Sequence, residues 1–313
     1  MHRHIQISIV IPVYNEEKNV QPLYRQLSSV LRKHRIKAEI IFVDDGSTDR
    51  TYNELSKLPN IKIIRLNRNF GQTTALKSGF EESSGEVVVT LDGDMQNDPR
   101  DIPKLLNKLN QGYDLVNGWR QTRQDNLSKT VPSKIANWII SKISGADIKD
   151  NGCSLRVFKK NLIEDIDLHG EMHRFIPTLA FWKGAKIIEM KVNHLARRDG
   201  VSKYGIKRLP FVLLDLITIK FLFNYLDRPM RIFGLTGIIS ISTGLLISII
   251  LGWERVVNNV PLSGRPLLFL GTLLIILGFQ FVYFGLLAEI AIRIYFNKGG
   301  VKNHIIKEII QNK

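Results

Sequence analysis

Short apolar runs alternate with amphipathic stretches over the first part of the chain. Residues 7–13, 39–43, 61–66, 87–91 and 115–117 are brief, rich in Ile and Val and bounded by turn residues, a pattern that predicts buried β-strands. Between them, apolar positions recur at helical spacing over 16–32, 49–58, 73–83 and 101–110. Strand and helix in alternation predict an α/β fold, a mostly parallel sheet covered on both faces. Ligands of such sheets sit beyond the carboxyl ends of the strands. The residues just after each run are therefore where chemistry is expected.

From residue 232 the pattern changes. Residues 232–253 and 267–288 are two uncharged stretches of about 22 residues each, enough to cross a hydrocarbon core. The connecting segment 254–266 holds Arg255 and Arg265 against Glu254, whereas the flanks are more basic: Arg228 and Arg231 before, Arg293, Lys298, Lys302 and Lys307 after. The positive-inside tendency predicts cytoplasmic flanks and an outer loop. Residues 206–226 are apolar but carry Lys207, Arg208, Asp215 and Lys220, which predicts helices lying in the membrane interface. The N-terminal run MHRHIQISIVIPVYNEE lacks the form of a signal peptide, so the first domain is expected to stay in the cytoplasm. The expected division is a soluble domain at 1–205, interfacial helices at 206–230, two spans at 231–296 and a basic tail at 297–313.

Among the 313 residues, 44 Lys+Arg face 29 Asp+Glu, a formal charge of +15. Nucleic acid, an anionic membrane or a phosphate-rich substrate would each account for the excess. The basic residues crowd the approach to the apolar segments and no nucleic-acid motif is present, so no nucleic-acid partner is expected. The lone cysteine, Cys153, excludes an intramolecular disulfide and a cysteine zinc site, and reads as a packing residue.

Directly after the fourth strand comes Asp92-Gly93-Asp94-Met95-Gln96. Residues two apart on an extended chain point the same way. Asp92, Asp94 and Gln96 thus offer oxygens to one hard cation such as Mg²⁺, while Gly93 admits a ligand close to the backbone. The first strand closes on Pro12-Val13-Tyr14-Asn15-Glu16-Glu17 and the second on Val43-Asp44-Asp45-Gly46-Ser47-Thr48-Asp49. Helix capping by Asn15, Ser47 or Asp49 accounts for one residue in each turn. The surplus of Tyr14, Glu16, Asp44 and Asp45 suits a base and ribose. Neither strand is followed by a Gly-x-Gly-x-x-Gly or a P-loop, against a dinucleotide dehydrogenase or a kinase-like ATPase. Far along the chain, the Arg197–Lys203 block places cations and a glycine ahead of the membrane segment, where they suit either a diphosphate leaving group or lipid headgroups.

Together, PVYNEE, VDDGSTD, DGDMQNDP, DNGCSLRVFKK, GEMHRFIP and the Arg197–Lys203 block, followed by two apolar spans, resemble the inverting GT-A-fold glycosyltransferases of the polyprenyl-phosphate branch. The resemblance covers nearly the whole chain. It implies a GT-A domain with a Rossmann-like mixed sheet, transfer of a sugar from a nucleotide sugar (a UDP-sugar favoured) to polyprenyl phosphate, and Mg²⁺ or Mn²⁺ as cofactor. It places Pro12, Tyr14, Glu16, Val43 and Asp45 at the nucleotide. It places Asp92, Asp94 and Gln96 at the metal and diphosphate, and Arg197 and Lys203 over the diphosphate. Arg120, with Lys129 and Ser133, falls at the lipid phosphate; lysine at 129 departs from the usual arginine and loses bidentate contact. Some relatives carry an acidic residue where Ser154 falls, and Asp150 is the nearest substitute as a base. The inner membrane and a homo-oligomer, a tetramer in related bacterial enzymes, are further implications. A processive polysaccharide synthase and a non-catalytic membrane partner in lipid-linked sugar handling stay open as alternatives, although no Q-x-x-R-W element is present.

Overall fold

The computed structural model describes residues 7–121, 141, 145–164, 166, 168, 170–195, 229–297 and 306–311. Their strands form one sheet in the order β7-β5-β6-β4-β1-β2-β3-β8. β1 (Ile7–Val13), β2 (Ala38–Asp44), β3 (Lys62–Leu66) and β4 (Val87–Thr90) pair in parallel. β6 (Arg156–Lys159) runs antiparallel to both β4 and β5 (Leu115–Trp119), and β5 pairs in parallel with β7 (Ile187–Lys191). β8 (Ile306–Gln311) closes the far side by pairing antiparallel with β3. Hence β1 to β5 and β7 all end on one edge, where the turns of interest lie.

β1 is apolar on both faces because both are covered: Ile9, Val10 and Ile11 are fully buried. On one face lie α1 (Val20–Lys33), which buries Val20, Leu23, Leu27, Val30 and Leu31 at helical spacing, and α4 (Ile102–Leu109), which buries Ile102, Leu105 and Leu109. On the other lies α3 (Gln72–Glu81), drawn in by Gly79. A Cβ there would stand 2.3 Å from Val10 Cγ1. Shorter helices are α2 (Thr51–Leu55), α5 (Lys160–Glu164) and α6 (Ile176–Trp182).

The five strands expected from the sequence are present with ends moved by up to two residues. The expected helix at 16–32 begins only at Val20. Its first residues are held in a turn by the neighbouring loop: Glu16 N donates to Thr51 Oγ1 at 2.8 Å and Glu17 N to Asp49 Oδ2 at 3.3 Å. The expected helix at 49–58 shortens to α2 for a related reason, since Asp49 lies in the loop and accepts from Thr51 N at 2.9 Å.

The chain forms two compact units, the sheet with its covering helices and a pair of long helices. The latter are α7 (Met230–Val257) and α8 (Pro266–Asn297), both long and apolar enough to cross a membrane. Only 22% and 11% of their most apolar windows are buried, the reverse of a soluble core helix. Ile249, Trp253 and Phe269 point outward. Glycines let the backbones approach: Gly237 packs on Gly278 O and Gly244 on Gly271 O, an antiparallel pairing. Glu254 and Arg265 pair across the connecting loop.

Candidate active site

At the carboxyl edge, the turns after β1 and β2 are fastened to each other. Asn15 adopts a φ of 56°, its N donates to Ser47 Oγ at 3.0 Å, and its Oδ1 accepts from Thr48 N at 2.8 Å. Asn15 and Ser47 are therefore cross-loop staples, not caps of their own helices. Gly46 has a φ of 68° and lies so close to the Arg68 backbone that a Cβ would meet it at 2.4 Å. Val43 and Asp44 are fully buried, so their side chains shape this edge from within. Asp44 Oδ1 accepts from Ser47 N at 2.9 Å, and Arg65 Nε stands 3.7 Å from Oδ2. Pro12, Tyr14 and Glu16 are partly exposed on the same edge.

Asp45 is also buried and is turned toward the loop after β3, accepting from Phe70 N at 2.7 Å and Gly71 N at 2.9 Å. That loop delivers Gln72, the first residue of α3. Its Nε2 donates to Asp92 Oδ1 at 2.7 Å. The strand ends of β2, β3 and β4 are thereby linked in series.

The turn after β4 carries the acidic residues. Leu91, Gly93, Met95 and Asn97 are buried while Asp92, Asp94 and Gln96 are partly exposed, so the three oxygen-bearing side chains share the open side. Met95 has a φ of 62°. Gly93 is required by packing: a Cβ would stand 2.6 Å from Val13 Cγ1 and 3.2 Å from Pro12 O. Close approach of β1, more than of a ligand, explains that glycine. Gln96 N donates to Asp94 Oδ1 at 3.1 Å and Asp92 N to Asn97 Oδ1 at 3.0 Å. Residues 193–195 run alongside, with a bridge between Asn97 and His194 and with Leu195 N on Gln96 O at 2.9 Å. Two carboxylates and an amide oxygen make a hard donor set. Among the described residues no three His, Cys, Asp or Glu side chains gather. The turn thus fits an ion such as Mg²⁺ or Mn²⁺ that takes its remaining oxygens from water and phosphate.

Arg120 follows β5 on this edge but is not an open guanidinium. Its Nε donates to Asp150 Oδ2 at 2.8 Å and one Nη to Oδ1 at 2.9 Å, and its side chain is only 13% exposed. Burial opposes its charge, and the bonds it donates to the Asp150 carboxylate more than offset this, so its pKa lies above the ordinary arginine value. Asp150, 3% exposed and committed to Arg120, does not have the setting of a base; it is the counter-ion of that arginine. Ser154 donates to Asp92 Oδ2 at 2.6 Å. Behind them Arg156 is fully enclosed on neutral acceptors, Asn117 Oδ1, Asn151 O and His173 O, and burial pushes its pKa down to about 10. Cys153 is buried and burial pushes its thiol up to about 11, as suits a packing residue. Lys129, Ser133, Arg197 and Lys203 lie outside the described residues.

Sequence reading missed Gln72 and His173, and left Ser154 without a role. Searching past the third strand, as past the other three, points to Gln72. His173 lies within GEMHRFIP, but nothing in the sequence signals that its Nδ1 meets Thr73 Oγ1 at 2.8 Å across a hundred positions.

The pattern of glycosyl transferase family 2 matches residues 8–167, the stretch that supplies every strand up to β6 and the acidic turn. The chain belongs to that family. This family 2 glycosyltransferase is 37% identical over 99% of its length to the dodecaprenyl-phosphate galacturonate synthase of Rhizobium johnstonii, covering 94% of that protein. It is 34% identical over 97% of its length to the undecaprenyl-phosphate 4-deoxy-4-formamido-L-arabinose transferase of Photorhabdus laumondii, again covering 94%. Among solved structures, the glucosyl-3-phosphoglycerate synthase of Mycobacterium tuberculosis in complex with Mn²⁺, uridine diphosphate and phosphoglyceric acid shares the fold. The TM-score is 0.55 and the identity 18%, over 70% of this chain and 78% of that one.

Proposed function

We propose that this glycosyltransferase moves a sugar from a nucleotide-diphosphate sugar, with inversion, onto polyprenyl phosphate at the cytoplasmic face of the inner membrane, supplying lipid-linked sugar for the cell envelope. One observation carries the reading. Asp92, Asp94 and Gln96 open to one side of the carboxyl sheet edge, in a chain alike over nearly its full length to transferases named for polyprenyl phosphates.

In this reading a lipid phosphate oxygen attacks the anomeric carbon and nucleoside diphosphate leaves. Asp92, Asp94 and Gln96 hold a divalent cation, which when bound supplies Lewis-acid stabilisation of the departing diphosphate. The Mn²⁺ and uridine diphosphate named for the mycobacterial neighbour support that part. The linked turns after β1, β2 and β3 form the nucleotide cradle, with Tyr14 and Glu16 at its open side. Residues 193–195 lie beside Gln96, and Arg197 and Lys203, which follow in the sequence, we assign to the diphosphate. A phosphate monoester has a second pKa of about 6, so the nucleophile is already ionised at neutral pH and needs no strong base. The engagement of Asp150 with Arg120 agrees with this. Arg120 is a fixed positive charge that orients the lipid phosphate, with Lys129 and Ser133 assigned to the same group.

Three elements, α7, α8 and β8, support a topology for this reading. β8 lies after α8 yet pairs with β3, which supports placing the chain before α7 and the chain after α8 on one side of the membrane. In this reading α7 and α8 each cross once, and the basic flanks favour the cytoplasm for that side. The working form is a homo-oligomer, a tetramer in this reading.

The test is to incubate the purified full-length protein in detergent with a panel of nucleotide sugars, UDP-sugars first, and undecaprenyl phosphate. A glycosyl-phospholipid and free nucleoside diphosphate are expected. Transfer to a soluble sugar hydroxyl, or a growing polymer, with no lipid product would overturn the acceptor assignment.

A further inference from the structure

Asp92 is oriented from two sides before any ligand arrives. Gln72 Nε2 donates to its Oδ1 at 2.7 Å and Ser154 Oγ to its Oδ2 at 2.6 Å. A carboxylate offers about four lone-pair sites, and here two are taken by an uncharged amide and an uncharged hydroxyl. Such donors fix direction without supplying a cation that would cancel the charge.

The direction of the serine bond can be worked out. Ser154 Oγ also lies 2.8 Å from Asn97 Oδ1, which already accepts from Asp92 N at 3.0 Å and is thereby identified as the oxygen of that amide. A hydroxyl has one proton. Of the two acceptors the carboxylate is charged and makes the stronger bond. Ser154 itself is anchored, since Thr90 Oγ1 donates to its carbonyl at 2.7 Å and Thr90 is paired with Arg156 in the ladder between β4 and β6. Gln72 is anchored through Gly71 and Asp45.

We propose that Ser154 and Gln72 are positioning residues that fix the Asp92 carboxylate for the divalent cation, so that metal affinity is set from β6 and α3 as well as from the acidic turn. The proposal rests on the metal-binding reading above. Loss of the serine hydroxyl leaves the Asp92 backbone held by Asn97 and its Oδ1 held by Gln72, and releases only Oδ2. Ser154 thus acts on affinity, and the fold does not depend on it.

Mn²⁺ alone is titrated into full-length protein in detergent, with free Mn²⁺ followed by electron paramagnetic resonance and melting of each variant recorded. Partners of ligating groups typically contribute tenfold to a hundredfold in metal affinity. Ser154→Ala and Gln72→Ala are each expected to weaken Mn²⁺ binding by about tenfold or more with little change in melting, while Ser154→Thr, which keeps the hydroxyl, binds as the parent does. Alanine variants within about twofold of the parent, or a threonine variant as weak as alanine, would overturn the positioning role alone. A parent protein that takes up no Mn²⁺ would remove the metal reading, and this inference with it.

Discussion

The carboxylates on the active edge divide by direction. Asp44, Asp45 and Asp150 point inward to backbone amides and arginines, while Asp92 and Asp94 are partly exposed. Substitution should separate them. Asp94→Ala is expected to abolish turnover and Mn²⁺ uptake with melting unchanged, and EDTA should stop turnover reversibly; full activity after chelation and exhaustive dialysis would contradict metal dependence. Asp150→Ala should instead cost stability, about 3–5 kcal/mol in urea unfolding, because it leaves Arg120 enclosed without its counter-ion. Cys153 adds a pH dependence. Its folded pKa is raised to about 11, against about 8.5 for a free thiol. The contribution is therefore complete below about pH 8.5 and is lost as pH rises toward 11. Cys153→Ala should flatten that slope in unfolding measurements, and native Cys153 should resist alkylation at neutral pH. At this scale the acidic turn was legible because its three oxygens lie at i, i+2 and i+4. Gln72 and Ser154 were not, since they reach Asp92 across twenty and sixty-two positions. Asn15 and Ser47 are typical capping types, and only the fold shows them binding two loops.

At the scale of elements, β1 to β5 were legible as apolar runs because they are buried in the sheet. β6 hides behind Arg156, a guanidinium satisfied by neutral acceptors drawn from two other segments. β7 is a partly exposed edge strand and shows no apolar run. The apolar stretches at 232–253 and 267–288 announced α7 and α8, but not that glycines would join them. Gly278 is one of the two tightest contacts, with Gly244: a Cβ at Gly278 would meet Ile241 Cγ1 at 2.5 Å and Gly237 O at 2.7 Å. Gly278→Ile should therefore force the two helices apart. Cysteines introduced at Thr243 and Thr272 should be cross-linked by a short bifunctional thiol reagent in the parent background and markedly less in the Gly278→Ile background. Equal cross-linking would mean that the glycine contact is dispensable.

At the scale of the molecule, the proposed function requires the sheet to lie on the cytoplasmic side of the membrane. Both flanks are expected in the cytoplasm and the loop between α7 and α8 outside. Single cysteines at Asn258 and Asn312 test this, because the native thiol is buried. On intact cells an impermeant thiol reagent should label position 258 and spare position 312. The opposite pattern would reverse the orientation.

Pairing of β8 with β3 also sets an order of events during synthesis. The strand that covers the β3 edge follows both long helices in the chain and leaves the ribosome after them. Until then the sheet carries an unpaired edge, the kind of surface on which chains associate wrongly. A nascent chain that stalls within α8 keeps that edge open. Completion of the sheet thus reports that both long helices have been made.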